Sequence, residues 1–152
     1  MSLADQITED MKTAMKAKEQ EKLATIRLIR AELLKRQKEK AGVELDDGLV
    51  QEVLQMMVKQ RRDSIEQYKN ANRDDLAEKE AAEIAVIGAY LPEEISEEEI
   101  AAAADEVIAS AGVSTVQEVG RVMGPLMGRL KKTGRPFDGK RVNAIVREKL
   151  GG

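Results

Sequence analysis

Apolar residues recur every three or four positions along nearly the whole chain, and no segment alternates with period two. Leu3, Ile7, Met11 and Met15 stand four apart, which predicts a helix over residues 3–17. A second helix is expected over 22–40, with Leu23, Ile26, Ile29 or Arg30, and Leu33 on one stripe and Gly42 as its stop. A third opens at Asp46 or Asp47, carries Val53, Met57, Ile65 and Tyr68, and runs to about Asn72. Asp74 is the expected N-cap of a fourth, which continues through Ile84, Ile87 and Tyr90. Pro92 ends it, because proline moves the preceding Leu91 out of the helical region. Ser96 with Glu99 forms a capping box for a fifth helix that closes near Gly112. Ser114 or Thr115 caps a sixth. Asp138 caps the last, with Val142, Ile145, Val146 and Leu150 facing inward. The expected class is therefore all-α: an N-terminal helical bundle over 1–92, then a small helical tail domain over 93–152. The acidic, proline-containing stretch 92–99 is the expected boundary.

Composition removes several chemistries. The 152 residues are 42% apolar, 35% charged and 2% aromatic, a mix that suits helices and offers little to a β-rich fold. There is no cysteine, so disulfides, thiolate catalysis and cysteine zinc sites are excluded. There is no histidine, so the usual general base is missing. Ser64 has no such base to activate it and reads as a polar surface residue. No catalytic residue, cofactor or metal is expected. No segment has the length and apolarity of a membrane span, and the first residues lack the apolar run of a secretion signal. The expected setting is cytoplasmic, and the expected state a monomer.

Charge divides the chain unevenly. Residues 1–92 carry 16 Lys and Arg against 18 Asp and Glu; 93–112 carry none against 7; 113–152 carry 9 against 3. A smaller basic concentration spans 12–40, with 10 basic residues against 4 acidic. From charge alone the basic C-terminal segment has two readings: a phosphate-binding surface, or a solvated face that balances the acidic stretch before it. In that segment Gly134 to Lys140 fits seven positions of a phosphate-binding loop, but the eighth is Arg141 and no buried strand precedes it. A turn between helices accounts for those glycines. The first turn after it holds Lys140 and Arg141, which oppose the helix dipole unless an anion is present. Gly120, Gly124 and Gly128 form a smooth stripe expected to pack closely on another helix, with Pro125 marking a kink or restart.

Three blocks carry a family resemblance. One is Lys59-Gln60-Arg61-Arg62-Asp63-Ser64-Ile65-Glu66-Gln67-Tyr68 with Arg73-Asp74-Asp75-Leu76 after it. Another is Tyr90-Leu91-Pro92 running into Ser96-Glu97-Glu98-Glu99-Ile100. The last is Gly120-Arg121-Val122-Met123-Gly124-Pro125-Leu126-Met127, followed by Asp138-Gly139 and Val142-Asn143. In order and spacing they resemble the GatB/YqeY family over nearly the whole chain, departing from its pattern in the longer loop Gly134 to Gly139. The resemblance implies a bacterial member of a family related to the C-terminal module of the tRNA-dependent amidotransferase B subunit. It also implies tRNA as a partner, with an amidotransferase or another translation-related protein as a possible second one. The carbon–nitrogen ligase label of the family, with glutamine as amido donor, comes with it. The RNA-binding candidates are then Arg121, Arg129, Lys131, Lys132, Arg135, Lys140, Arg141 and Arg147, reading shape and backbone since aromatics are scarce. Arg61, Arg62, Tyr68 and Arg73 are the candidates for a partner surface, against a reading in which Arg61, Arg62, Glu66 and Lys69 pair along one exposed helix face.

Overall fold

The computed structural model describes residues 1–151. These form seven α-helices and one 3₁₀ turn, with no strand among the described residues. The chain divides into two compact units, Met1–Leu91 and Pro92–Gly152.

The first unit holds α1 (Leu3–Lys16), α2 (Gln20–Glu39), α3 (Asp47–Asn70) and α4 (Asp74–Gly88). Each helix starts where the local chemistry permits. Ser2 accepts from the Asp5 amide, and Asp46 accepts from the Leu49 amide at 2.8 Å. Caps of this kind are worth about 1 kcal/mol each. Asp47 reaches across from α3 to accept the Leu3 amide at 2.8 Å, so the start of α1 is satisfied by a different helix. Two tight connections use left-handed backbone at non-glycine residues, Lys18 (φ 58°) and Asn72 (φ 57°). The core gathers Ile7 and Ala14 of α1, Ile26, Ile29 and Leu33 of α2, Val50, Val53, Leu54, Met57 and Val58 of α3, and Ile87 and Tyr90. Burying each Ile, Leu or Val contributes about 1.5–3 kcal/mol.

The second unit holds α5 (Glu97–Ala111), the 3₁₀ turn Val116–Glu118, α6 (Val119–Lys131) and α7 (Gly139–Lys149). Ser96 accepts from the Glu99 amide, and Glu99 accepts from the Ser96 amide at 2.8 Å. This reciprocal box fixes the first turn of α5. At the other end Gly112 takes φ 65°, and the Val113 amide returns to the Ile108 carbonyl. Val122, Leu126 and Leu130 of α6 meet Ile100, Ala104 and Val107 of α5 and Val142, Ile145 and Val146 of α7.

Several local expectations are corrected. Asp74 is not the cap of α4: Arg73 holds that position without a side-chain cap bond, and Asp74 lies in the first turn. The left-handed Asn72 turns the chain one residue early, and the Arg73 amide already donates to the Tyr68 carbonyl. Thr115 precedes the 3₁₀ turn, but its hydroxyl donates to the Glu118 carboxylate instead of accepting a backbone amide. Gly120, Gly124 and Gly128 do not pack against another helix. They face solvent, and a Cβ at any of them would meet nothing within 4 Å. The packing ridge of α6 is Val119, Val122, Leu126 and Leu130, on the opposite side. Pro125 stands inside a helix that runs on through it, on the same exposed side, so the carbonyl it leaves without a donor can face water.

Candidate functional site

In the second unit the basic residues of the C-terminal segment converge on the acidic residues that open the unit and line α5. Arg135 is the most engaged. Its guanidinium meets both Glu99 carboxylate oxygens at 2.9 Å and also donates to the carbonyls of Glu93 (2.9 Å) and Glu94 (3.1 Å). The Ile95 amide donates to the Pro136 carbonyl at 2.9 Å, which seats the loop before α7 against the segment before α5. Arg141 pairs with Glu97 and lies 3.7 Å from Glu148. Arg129 pairs with Glu106, Lys149 with Asp105 at 2.8 Å, and Arg121 with Glu118 at 2.8 Å. Arg147 receives no carboxylate in these pairs; it donates to the Asn143 side-chain oxygen at 2.8 Å.

These contacts shift the carboxyls in a consistent direction. Arg135, with the Ser96 amide, holds Glu99 down to about 2. The Arg141 hydrogen bond lowers Glu97, and the Thr115 hydroxyl with Arg121 lowers Glu118. All remain charged at neutral pH, so the pairs persist there.

Lys131 and Lys132 stand apart. They are exposed at the C-terminal end of α6, and neither makes an ion pair among the described residues. The chain then turns through Gly134 (φ 70°) to α7, where Asp138 caps the Lys140 amide and the first turn carries exposed Lys140 and half-buried Arg141. Lys131 and Lys132 are cations at a helix C-terminus, where the dipole favours them.

The partner-surface candidates of the first unit are scattered in role. Arg61 is turned inward, with a side chain only 14% exposed. It donates to Glu83 at 2.9 Å, lies 3.9 Å from Glu80, and also donates to the Met57 carbonyl. It thus ties α3 to α4 instead of pairing along its own helix. Arg62 and Tyr68 are half-buried, and Arg73 pairs with neighbouring Asp75 on the surface. Ser64 donates to the Gln60 carbonyl within its helix. Two contacts escaped the sequence reading: Arg30 donates to the Met11 sulfur at 3.1 Å, and Arg36 to the Met56 sulfur at 3.3 Å. Both place a guanidinium over apolar neighbours with its stem along the bundle.

Among the described residues no group of three or more Asp or Glu could hold a metal ion, and no helix is long and apolar enough to cross a membrane. No buried side-chain nitrogen or oxygen among them lacks a partner. Fold and charge layout together define an all-helical protein of two small units, with ion pairs clothing the second. Its family follows from comparison with known proteins: the family model described as YqeY-like protein matches residues 4–150, and the chain belongs to that family. It is 35% identical over 146 residues to altered inheritance of mitochondria protein 41, mitochondrial, of Pyrenophora tritici-repentis, covering 93% of this chain and 77% of that one. It is 36% identical over 101 residues to the protein of the same name from Eremothecium gossypii (65% and 55% covered), and 34% over 85 residues to that of Lachancea thermotolerans (56% and 46%). In those two the match spans about half of the relative's length. The names correct the expectation of a cytoplasmic setting, since relatives this similar are named as mitochondrial proteins. These relatives are also fungal, and they lend no support to a bacterial source.

Proposed function

We propose that this YqeY-like protein is a non-catalytic accessory that contacts folded RNA, tRNA in the first instance, through the end of its second unit. The observation that supports the reading is the placement of Lys131 and Lys132. They are exposed and unpaired with carboxylates at the close of α6, and the turn that follows leads to Lys140 at the start of α7. Lysines so placed contact phosphate without reading bases. The neighbouring arginines are paired, but the Arg121 and Arg129 side chains are 62% and 50% exposed. Surface pairs of this kind are weak, so a phosphate can displace the carboxylate at small cost. A role in glutamine-dependent amidotransfer, if any, then lies in holding substrate for other subunits, since Ser64 has only a backbone carbonyl as its partner.

Fluorescence anisotropy of labelled tRNA with the full chain, across a salt series, tests this. The Lys131→Ala/Lys132→Ala protein should bind more weakly and lose about 1.5 from the slope of log affinity on log salt. Equal slopes for the two proteins would defeat the reading. A helical protein–protein module is the second reading, and the pairing of Arg129, Arg135 and Arg141 with Glu106, Glu99 and Glu97 favours it. Those arginines then serve the fold, and the same titration shows no tRNA binding even at low salt.

A further inference from the structure

The large apolar side chains that stand exposed all lie in the first 34 residues: Met1, Met15, Leu28 (44%) and Leu34 (51%). The last two belong to α2, on the side turned away from buried Ile26, Ile29 and Leu33. At about 100° per residue, Leu28 and Leu34 stand about 120° apart around the helix, with exposed Ala24 and Ala31 between them. This outer face is a shallow trough, floored by alanines and flanked by leucines, about 9 Å apart along the axis. The apolar residues of α2 thus run round the helix, with only one side of them used by the core.

Arg27, Lys35 and Lys38 share the face. All three are exposed, and none makes an ion pair among the described residues. That contrasts with the second unit, where most arginines are held by carboxylates. The long stems can line the trough while their heads swing outward.

We infer that the outer face of α2 is a docking surface for one acidic amphipathic helix of a partner protein. The partner's apolar seam seats over Ala24 and Ala31 between the two leucines, and carboxylates flanking that seam meet Arg27, Lys35 and Lys38. Charge disfavours the symmetric pairing of α2 with α2 of a second copy. Antiparallel pairing of two α2 helices about Ala31 sets Arg27 opposite Lys35, and parallel pairing sets each cation beside itself. A lipid surface is the remaining occupant, which vesicle co-flotation tells apart. The inference stands on the first unit and depends on neither reading of the second.

The test uses the full chain and a fluorescein-labelled designed helix of about three heptads, with Leu and Ala along its seam and Glu at the flanks. A twin peptide carries Lys at the flanks. The Glu peptide should bind saturably and the Lys peptide at least tenfold more weakly. Ala31→Arg should lower the Glu-peptide affinity at least tenfold. It fills the trough but adds a cation, so generic charge attraction would move the affinity the other way, and arginine keeps the helix. The Arg27→Glu/Lys35→Glu protein should invert the preference between the peptides. Circular dichroism matching the parent shows that each variant is folded. Equal binding of the two peptides, or a Glu-peptide affinity untouched by Ala31→Arg, would overturn the proposal. So would self-association in sedimentation that Ala31→Arg abolishes, co-flotation with phosphatidylserine vesicles lost in the same variant, or tRNA binding that requires Arg27 and Lys35 while the peptide does not.

Discussion

Tyr90 donates its hydroxyl to the Asp10 carboxylate at 2.6 Å, joining residues 80 positions apart. The bond ties the turn after α4 to the middle of α1, so it closes the bundle of the first unit on itself. Burial and the bond to Asp10 push the phenol well above its ordinary range. It stays protonated, and so stays a donor, throughout ordinary working conditions. Tyr90→Phe keeps the buried ring and removes only the donor. It should cost about 1.5–2 kcal/mol of stability, as for a hydrogen bond to a charged group. Urea unfolding of the parent and the variant measures this, and a change within error would show the bond to be idle. The sign of the pH effect follows from the raised value. The contribution is full below the phenol's ordinary pKa and fades as pH rises through the higher folded one.

Arg61 presents a second closure. Its guanidinium and Glu83 are 14% and 17% exposed, so removing the arginine leaves a carboxylate mostly out of water. Arg61→Met should destabilise the protein by about 2–3 kcal/mol, mostly through the abandoned carboxylate. Adding Glu83→Leu should then recover a large share of the loss. A denaturation cycle over the four proteins checks both statements. Additive losses would show that the pair does not couple α3 to α4.

In the second unit the pH dependence has the opposite sign. Glu99, held at about 2 by Arg135 and the Ser96 amide, favours the folded state at neutral pH. A depressed carboxyl gives its contribution above the ordinary carboxylate range and loses it as pH falls through the folded value. Glu99→Gln should therefore lower the melting temperature of this unit at neutral pH. The gap to the parent should narrow below the ordinary 4.5 and close near 2. A gap that is constant with pH would mean that the box works without its charge.

The exposed glycines of α6 predict a gain. Gly128 has helical geometry, and a Cβ there meets nothing within 4 Å. Gly128→Ala should stabilise the protein by about 0.5–1 kcal/mol, through lower chain entropy in the unfolded state. Thermal unfolding reads the difference, and a loss would reveal a hidden contact at that face.

The helices were legible because their signals are local. The capping box at Ser96 and Glu99, the stop at Gly112 and the cap at Asp138 are each complete within a few residues, and all three stand in the structure. The apolar stripes marked Ile7, Ile26, Ile29, Leu33 and Val53, all buried. The family, too, was legible from its three blocks. Ion-pair partners were not. Arg61 meets residues on the next helix, and Arg135 meets Glu99, 36 positions away. Helix periodicity relates a charge to its neighbours three or four residues off and is silent on such distances. The glycine stripe misled for a similar reason. Its spacing defines a face, but only the neighbouring helices decide whether that face is covered. The exposed leucines of α2 left a trace that could have been read: its apolar residues occupy more of the circumference than one core needs.

The meeting of basic α6 and α7 with acidic α5 also sets the electrostatic field that an approaching ligand would feel. From Pro92 onward the unit carries 9 Lys and Arg against 10 Asp and Glu. Opposite charges interleaved at contact distance make a multipole, whose potential dies off faster than that of a uniformly basic surface. Beyond a screening length of about 8 Å an approaching polyanion feels almost nothing. A ligand of this unit would then meet it with little steering, at the about 10⁵–10⁶ M⁻¹s⁻¹ of neutral partners, with little dependence of the on-rate on salt. It would be selected after collision, by how long the complex survives.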